Sequence, residues 1–315
     1  MGRNHWYRKQ ARISPSSVYQ ASYGHDLVWK DPPLDLDFTV IAINGIDADK
    51  GENLRLRTGV RDDSKVYIEG WHTTKIYGAM ASVLKLPSRL STFRSGVTHC
   101  DRGNMKLGWY DQSASDPFST DPSSNSPLRV VNGSQPSNAC FYDETIIFKA
   151  PFDSPPTVLC WLNFIDLGNQ AHFRLGVEAR DVSAVGFTIR FVSWQDSRHA
   201  FYGAKASWVA FPTDAPNVVC GTFAYGRFTM HTADDNPPFK AVKFPEKKFS
   251  AAPSVFVAIS KIDFSNLTNP RLTVFARDVT KQEANICINS WHDTKMHMAQ
   301  ASYIAIAGEE YASSN

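Results

Sequence analysis

Three segments of the chain carry an arginine followed by a tryptophan, and both residue types are suited to binding a ligand rich in hydroxyl groups. The three pairs are Arg55 and Trp71, Arg174 and Trp194, and Arg271 and Trp291. The planar guanidinium of an arginine donates paired hydrogen bonds, and hydrogen bonds with a charged partner are the stronger ones. An indole ring offers an apolar face on which the C–H face of a sugar can stack. The segments therefore predict three sites for a sugar-like ligand.

Each of these residue types also has a structural interpretation. A tryptophan can belong to the core of a sandwich, and an arginine can form a structural ion pair. We interpret Arg61, Arg180 and Arg277 as ion-pair residues, because an aspartate follows each of them directly. The arginines that precede the tryptophans have no adjacent aspartate, which favours the binding interpretation for them. His72 and His292, which follow two of the tryptophans, can contact a ligand or cap a turn.

Catalytic and metal-ligating residues form no recognisable pattern in the sequence. Asp47, Asp166 and Asp263 each end an apolar run, and an aspartate in that place ordinarily closes a strand and opens a turn. The 9 histidines show no H-x-x-x-H or H-x-x-E spacing, and the 5 cysteines show no C-x-x-C pair. We therefore predict no metal, no cofactor and no catalytic residue.

An internal repeat positions the candidate residues. An apolar run ending in Ile-Asp, an arginine eight residues later, and a tryptophan segment ending in Ala-Ser occur three times in the same order. The arginine and the tryptophan are 16 residues apart in the first copy and 20 apart in the others, so the first copy has a shorter hairpin. The runs alternate polar and apolar residues, and turn residues separate them. This pattern predicts an all-β protein made of small antiparallel sandwiches.

The repeat divides the chain into three predicted domains, residues 1–90, 91–213 and 214–315. Sandwiches of this size bury a modest fraction of their surface, and the connections between them are short and contain proline. We therefore expect the domains to pack on one another. The Ser- and Asp-rich residues 111–127 are expected to form an enlarged surface loop of the second domain.

Charge and hydropathy argue against several partners. The chain has 33 basic and 31 acidic residues, which gives no basic surface of the kind that nucleic-acid binding requires. No run approaches the roughly 20 apolar residues that cross a bilayer, so membrane insertion is not expected. The first residues are basic and polar without the apolar run of a signal peptide, and an odd cysteine count leaves at least one thiol free. We expect a cytoplasmic or unconventionally secreted protein.

The residues Asn53, Leu54 and Arg55, together with the segment WHTTKIYGAMAS from Trp71 to Ser82, resemble the H-type lectin family, which includes the snail agglutinins and the discoidin C-terminal domains. The resemblance implies a six-stranded antiparallel β-sandwich for each of the three tandem domains. It further implies trimeric assembly, with galactose or N-acetylgalactosamine bound near domain boundaries. Three copies in one chain then imply an intramolecular pseudo-trimer that is monomeric as a chain.

The resemblance assigns sugar-binding roles by position. They fall on Arg55, Trp71, His72 and Tyr77 in the first copy, on Arg174, Trp194, Gln195 and Tyr202 in the second, and on Arg271, Trp291, His292, His297 and Asp234 in the third. The loop aspartate of the family falls on Asp234 in the third copy but on Val18 and Ser137 in the others, where Asp26 and Asp121 are the nearby substitutes. Because a hydroxyl pair needs both an acceptor and a donor, we expect the third site to bind best.

The sequence therefore predicts a non-enzymatic, multivalent lectin for terminal galactose or N-acetylgalactosamine on glycans, acting in defence or cell adhesion. One alternative is a structural or protein-interaction array that has lost sugar binding, because two copies lack the aspartate. The other is a glycoside-processing enzyme, which needs two carboxylates on opposite sides of one cleft. No such acidic pair recurs in the tryptophan segments.

Overall fold

The computed structural model describes residues 18–22, 27–28, 39–61, 65–86, 92–110, 137–226 and 237–307. These residues form 19 β-strands and two short 3-10 turns. No helix in this part of the chain has the length and apolar character needed to span a lipid bilayer. The predicted all-β fold is confirmed.

The strands follow the repeat in order. The first copy contains β1 (Val18–Ser22), β2 (Leu27–Val28), β3 (Thr39–Ala48), β4 (Leu54–Arg61), β5 (Lys65–Glu69) and β6 (Ile76–Lys85). The second contains β7 (Arg94–Asp101), β8 (Lys106–Tyr110), β9 (Ser137–Ile147), β10 (Thr157–Leu167), β11 (Phe173–Ser183), β12 (Gly186–Trp194) and β13 (Phe201–Phe211). The third contains β14 (Val218–Tyr225), β15 (Phe239–Lys243), β16 (Ser254–Phe264), β17 (Arg271–Arg277), β18 (Glu283–Asn289) and β19 (Met296–Ile306).

The described strands form three antiparallel sheets, and each sheet joins strands of two copies. The sheet orders are β1-β6-β3-β17-β18-β15, β2-β5-β4-β10-β13-β7 and β14-β19-β16-β11-β12-β9-β8. We call the places where copies pair junction I (β4 with β10), junction II (β11 with β16) and junction III (β17 with β3). The copies thus follow one another in a closed cycle. The predicted domain limits stay a prediction, because every sheet runs across two copies.

Within a copy, two half-sheets face each other as a sandwich. In the first copy, β3 and β4 belong to different sheets, yet Ile43 and Leu56 lie in the same buried apolar cluster. Side chains alternate along β4, so that Leu54 and Leu56 are buried while Arg55 between them is partly exposed. This alternation is what directs the repeat arginine away from the core.

A second apolar core lies where the three copies meet. It contains Val40 of the first copy, Leu159 of the second and Phe256 of the third. Trp161 is fully buried there, and its ring meets that of Phe256 edge-on at 5.0 Å. Burying aromatic rings of this size contributes a large part of the stability of such a core. The copies are therefore packed into one body, as the short connections predicted.

A β-bulge occurs at the same position of each copy, in the strand that ends in Ile-Asp. The pairing registers shift at Asn44, Asn163 and Ser260. A bulge re-aims the residues that follow it relative to the sheet. Three residues later, Asp47, Asp166 and Asp263 stand opposite the repeat arginine of another copy. The bulges thus position the carboxylates at the junctions.

Differences between the copies appear where the spacing predicted them. In the first copy β4 and β5 have 8 and 5 residues, whereas β11 and β12 of the second have 11 and 9. The two extra residues after Trp194 form part of a 3-10 turn, Gln195–His199. The predicted loop 111–127 lies outside the described residues.

All 5 cysteines are free in the structure. Burial raises the pKa of the Cys100 and Cys220 thiols to about 12. A thiol with so high a pKa forms little of the reactive thiolate at neutral pH. These cysteines therefore act as small apolar core residues.

Candidate functional site

At each junction, the repeat arginine of one copy is paired with the Ile-Asp aspartate of another. The pairs are Arg55 Nε to Asp166 Oδ1 at 3.0 Å, Arg174 Nε to Asp263 Oδ1 at 3.0 Å, and Arg271 Nε to Asp47 Oδ1 at 3.3 Å. The sequence interpretation gave these arginines no aspartate partner, because the partner comes from a different copy. The ion-pair interpretation therefore applies to these three arginines as well, and their role in binding stays a prediction.

The three junction carboxylates share one electrostatic environment. Burial raises the pKa of Asp47, Asp166 and Asp263, and the facing guanidinium of each pair acts in the opposite direction. The carboxylate, a charged acceptor, and the guanidinium, a planar charged donor, thus lie side by side where they are partly shielded from solvent. Such a pair is suited to binding two adjacent hydroxyl groups of a ligand.

The residue directly after each tryptophan has the same backbone φ in all three copies. His72, Gln195 and His292 each have a φ of 55°, which non-glycine residues adopt uncommonly. Strained backbone of this kind persists where the surrounding structure fixes it, and it is often found at ligand sites. The turn therefore presents the residue after the tryptophan in one defined direction.

A side-chain hydroxyl ties this turn to the strand that carries the arginine. Thr74 Oγ1 donates to the carbonyl of Asn53 at 2.9 Å, and Thr294 Oγ1 donates to that of Asn269 at 2.8 Å. Ser197 makes the same bond to the carbonyl of His172. Each accepting residue lies two positions before the repeat arginine. The arginine and the tryptophan turn of one copy are therefore held together.

The aromatic residue predicted for each copy lies at a different junction from the arginine of that copy. Tyr77 lies on β6 beside the strand of Asp47, and its hydroxyl donates to Asp49 Oδ2 at 2.5 Å. Tyr202 lies beside the strand of Asp166, and His297 beside that of Asp263. Each site is consequently assembled from two copies, one supplying the arginine and tryptophan turn and the other the aspartate and aromatic ring.

Junction III brings together Arg271 and the tryptophan turn of the third copy with residues of the first. Arg271 Nη1 donates to Asp293 Oδ1 at 2.6 Å, and this bond lowers the pKa of Asp293. His292 is exposed, and Trp291 is partly exposed. Tyr77 of the first copy, on the strand next to that of Asp47, is 49% exposed. Three ring-bearing side chains of this junction are therefore at least partly exposed.

Junction I has a different lining. Trp71 is partly exposed, and its ring contacts that of Phe164 from the second copy at 4.8 Å between centroids. The guanidinium of Arg57 lies over the Trp71 ring, 5.5 Å from its centroid. Arg55 is paired with Asp166. An aromatic and cationic surface therefore borders the arginine here.

Junction II is closed. Arg174 is only 6% exposed and contacts Asp263, Asp196 and, at 2.8 Å from Nη2, the ring nitrogen Nδ1 of His172. Trp194 is 1% exposed, and its Nε1–H donates to Asp263 Oδ2 at 3.3 Å. The tryptophan packs in a small buried cluster and offers no open face. The core interpretation of the tryptophan therefore describes this copy.

The remaining residues singled out in the sequence either lie outside the described residues or form ion pairs away from the junctions. Asp234, Asp26 and Asp121 lie outside the described residues, as does the side chain of Arg61. Arg277 contacts Asp278 at 3.4 Å, which agrees with its interpretation as an ion-pair residue. Arg180 also forms an ion pair, but its partner is Glu178 at 3.0 Å rather than the adjacent Asp181.

The structure adds candidate site residues that were not predicted from the sequence. They are the junction aspartates Asp47, Asp166 and Asp263, the turn aspartates Asp196 and Asp293, and His172. The signal for the junction aspartates was present, because they recur at one position of all three copies. The sequence could not predict that they pair with the repeat arginines, because this pairing depends on which copies are neighbours.

Two parts of the chain are similar to a known protein family. Residues 143–211 and 239–306 match the family described as the H-type lectin domain. A curated relative, "ATP synthase subunits region ORF 7" from Fuscovulum blasticum, is 35% identical over 65 residues, or 21% of this chain and 56% of that protein. The chain thus spans about half the length of this relative. The structure of wild-type discoidin II from Dictyostelium discoideum matches with a TM-score of 0.22 and 14% identity, over 55% of this chain and 71% of that chain.

Proposed function

We propose that the chain is a non-enzymatic lectin of the H-type family for terminal galactose or N-acetylgalactosamine, which binds between its repeat copies. The matches of residues 143–211 and 239–306 to the H-type lectin domain support the proposal. The observation that carries the proposal is the arrangement at junctions I and III. There a paired arginine and aspartate lie beside a tryptophan that is partly open to solvent.

The chemistry of these junctions suits a galactose-type sugar. Such a sugar offers an adjacent axial and equatorial hydroxyl together with an apolar C–H face. The arginine can donate to one hydroxyl and the aspartate can accept from its neighbour, while the ring stacks on the C–H face. An epimer of the sugar leaves one of the two charged groups without a hydrogen-bond partner. This penalty discriminates against the epimer.

Junction III is proposed as the stronger site. Arg271 there has a second carboxylate, Asp293, and the tyrosine missing from the third copy is supplied by Tyr77 of the first. The sequence also ranked the Arg271 site first, but because of Asp234. The present ranking rests on Asp293 and Tyr77 instead. Junction I is the second site, with Arg55, Trp71 and the exposed His72.

Junction II favours a structural role within the same protein. Arg174 already has two carboxylate partners, and Trp194 is buried. A sugar would have to break these contacts before it could bind. We therefore propose two sugar sites and one closed junction in each chain, as opposed to three equivalent sites.

A glycan array with the full chain tests the specificity. Fluorescently labelled protein is compared with the double variant Arg55→Ala/Arg271→Ala and with Arg277→Ala. The latter is the matched control, because it removes an ion-paired arginine from the other end of β17. We expect the wild type and Arg277→Ala to bind glycans ending in galactose or N-acetylgalactosamine, and the double variant to lose that signal. Binding confined to other termini, or a double variant that binds like the wild type, would contradict the proposal.

A further inference from the structure

We propose that junction II is a site for a divalent transition metal, with His172, His297 and Asp263 as the protein ligands. The site is separate from the sugar-binding function proposed for junctions I and III. Zinc is the ion that its ligand chemistry favours, because imidazole nitrogens with one carboxylate oxygen form a common zinc ligand set.

The geometry brings three ligand atoms together from distant parts of the chain. One ring nitrogen of each histidine and one carboxylate oxygen of Asp263 all lie within 4.8 Å of one another. The two imidazole rings are parallel, with 5.3 Å between their centroids and 6° between their planes. His172 immediately precedes β11, while Asp263 and His297 lie on the neighbouring strands β16 and β19. A metal ion bound by these atoms would replace contacts of Arg174, which now lies 3.0 Å from Asp263 Oδ1 and 2.8 Å from His172 Nδ1.

A comparison of the copies shows that both histidines are departures from the repeat. His172 stands two residues before the repeat arginine, where the other copies have Asn53 and Asn269. His297 stands six residues after the tryptophan, where the first copy has Tyr77. The two departures belong to different copies, yet they meet at one junction. Asp263 is the ligand that all three junctions have in common.

The surroundings of the cluster fit a cation. Two carboxylates, Asp263 and Asp196, face one guanidinium, Arg174, so these three groups carry a net negative charge. Arg174 already contacts Asp196 and can remain on that carboxylate when Asp263 turns to the metal. The N–H of Trp194 donates to Asp263 Oδ2. Such a hydrogen bond from outside the ligand set holds a carboxylate in place for its metal.

The test is a metal titration of the full chain without sugar. Protein stripped with EDTA and dialysed is titrated with Zn²⁺ by calorimetry, and with Co²⁺ by visible absorption. The variants His172→Asn and His297→Tyr restore the residues of the other copies, and His292→Asn is the matched control at junction III. We expect about one ion per chain in the wild type and the control, and affinity reduced about tenfold to a hundredfold or more in the other two.

X-ray absorption of the zinc-loaded wild type gives a second readout that needs no variant. We expect two imidazole ligands around the metal. A wild type without binding, a tight site that survives both substitutions, or a metal surrounded by oxygen ligands alone would overturn the proposal. Calorimetry with N-acetylgalactosamine on His172→Asn distinguishes the two proposals, because sugar binding at junctions I and III should be unchanged by it.

Discussion

Replacing Arg174 by alanine should destabilise the protein strongly while leaving its sugar binding intact. Arg174 and Asp263 are 6% and 8% exposed, and breaking such a buried ion pair by removing one partner costs about 3 to 5 kcal/mol. For Arg174 we expect the lower end of this range, about 3 kcal/mol. Asp263 keeps the hydrogen bond from Trp194, and burial already raises its pKa, so that it can take up a proton when the arginine is gone. We therefore expect a loss of about 3 kcal/mol in the free energy of unfolding.

Urea denaturation followed by tryptophan fluorescence measures this loss. The matched comparison is Arg277→Ala, because the side chains of Arg277 and Asp278 are 28% and 67% exposed and an exposed pair of this kind contributes about 1 kcal/mol or less. Arg174→Ala should thus unfold at a clearly lower urea concentration than Arg277→Ala. Equal unfolding midpoints for the two variants would refute the assignment of Arg174 as the buried centre of junction II.

Three further predictions concern strain, pH and metal. His292→Val should cost about 1 to 2 kcal/mol in chemical denaturation, because a β-branched residue tolerates a φ of 55° poorly, whereas His292→Asn should cost little; equal losses would contradict the strain argument. The pKa of His172 lies below the ordinary 6.5, chiefly through burial, so the folded protein favours the neutral imidazole. The contribution of His172 to the free energy of unfolding is therefore fully present above pH 6.5 and is lost as the pH falls through the lower pKa of the folded state. The wild type should therefore lose more thermal stability between pH 7 and pH 5 than His172→Asn, and parallel losses would refute this. Binding of N-acetylgalactosamine should survive EDTA, because the proposed sugar contacts at junctions I and III are side chains alone; reversible loss of binding would contradict that site.

The architecture followed from the sequence because the repeat leaves little freedom. Three ordered sets of alternating strands, joined by short proline-containing connections, have few ways to bury their apolar faces. The sequence could not indicate that each sheet would continue into another copy. That continuation depends on four or fewer residue pairs per junction, such as Arg55 opposite Asp166. A short pairing between distant strands has no signature in local propensity or periodicity.

The sequence predicted which residue types form the candidate sites, but not which copies supply the residues of each junction. The position of Tyr77 in the repeat groups it with Arg55, whereas the structure places it beside the strand of Asp47, which pairs with Arg271 at junction III. The burial of Trp194 was also unforeseen. Its equivalents Trp71 and Trp291 are partly exposed, and the difference arises from packing against Val192 and Met298. Identical motifs thus acquire different roles according to their neighbours.

Calorimetric titration with N-acetylgalactosamine tests the central claim most directly, because it counts the sites. The wild type should bind about two molecules per chain, in a tighter and a weaker phase. Arg271→Ala should lose the tighter phase and Arg55→Ala the weaker one, each by about 2 to 5 kcal/mol, while folded Arg174→Ala should keep both. Three equivalent sites in the wild type, or both phases persisting in Arg55→Ala/Arg271→Ala, would contradict the account.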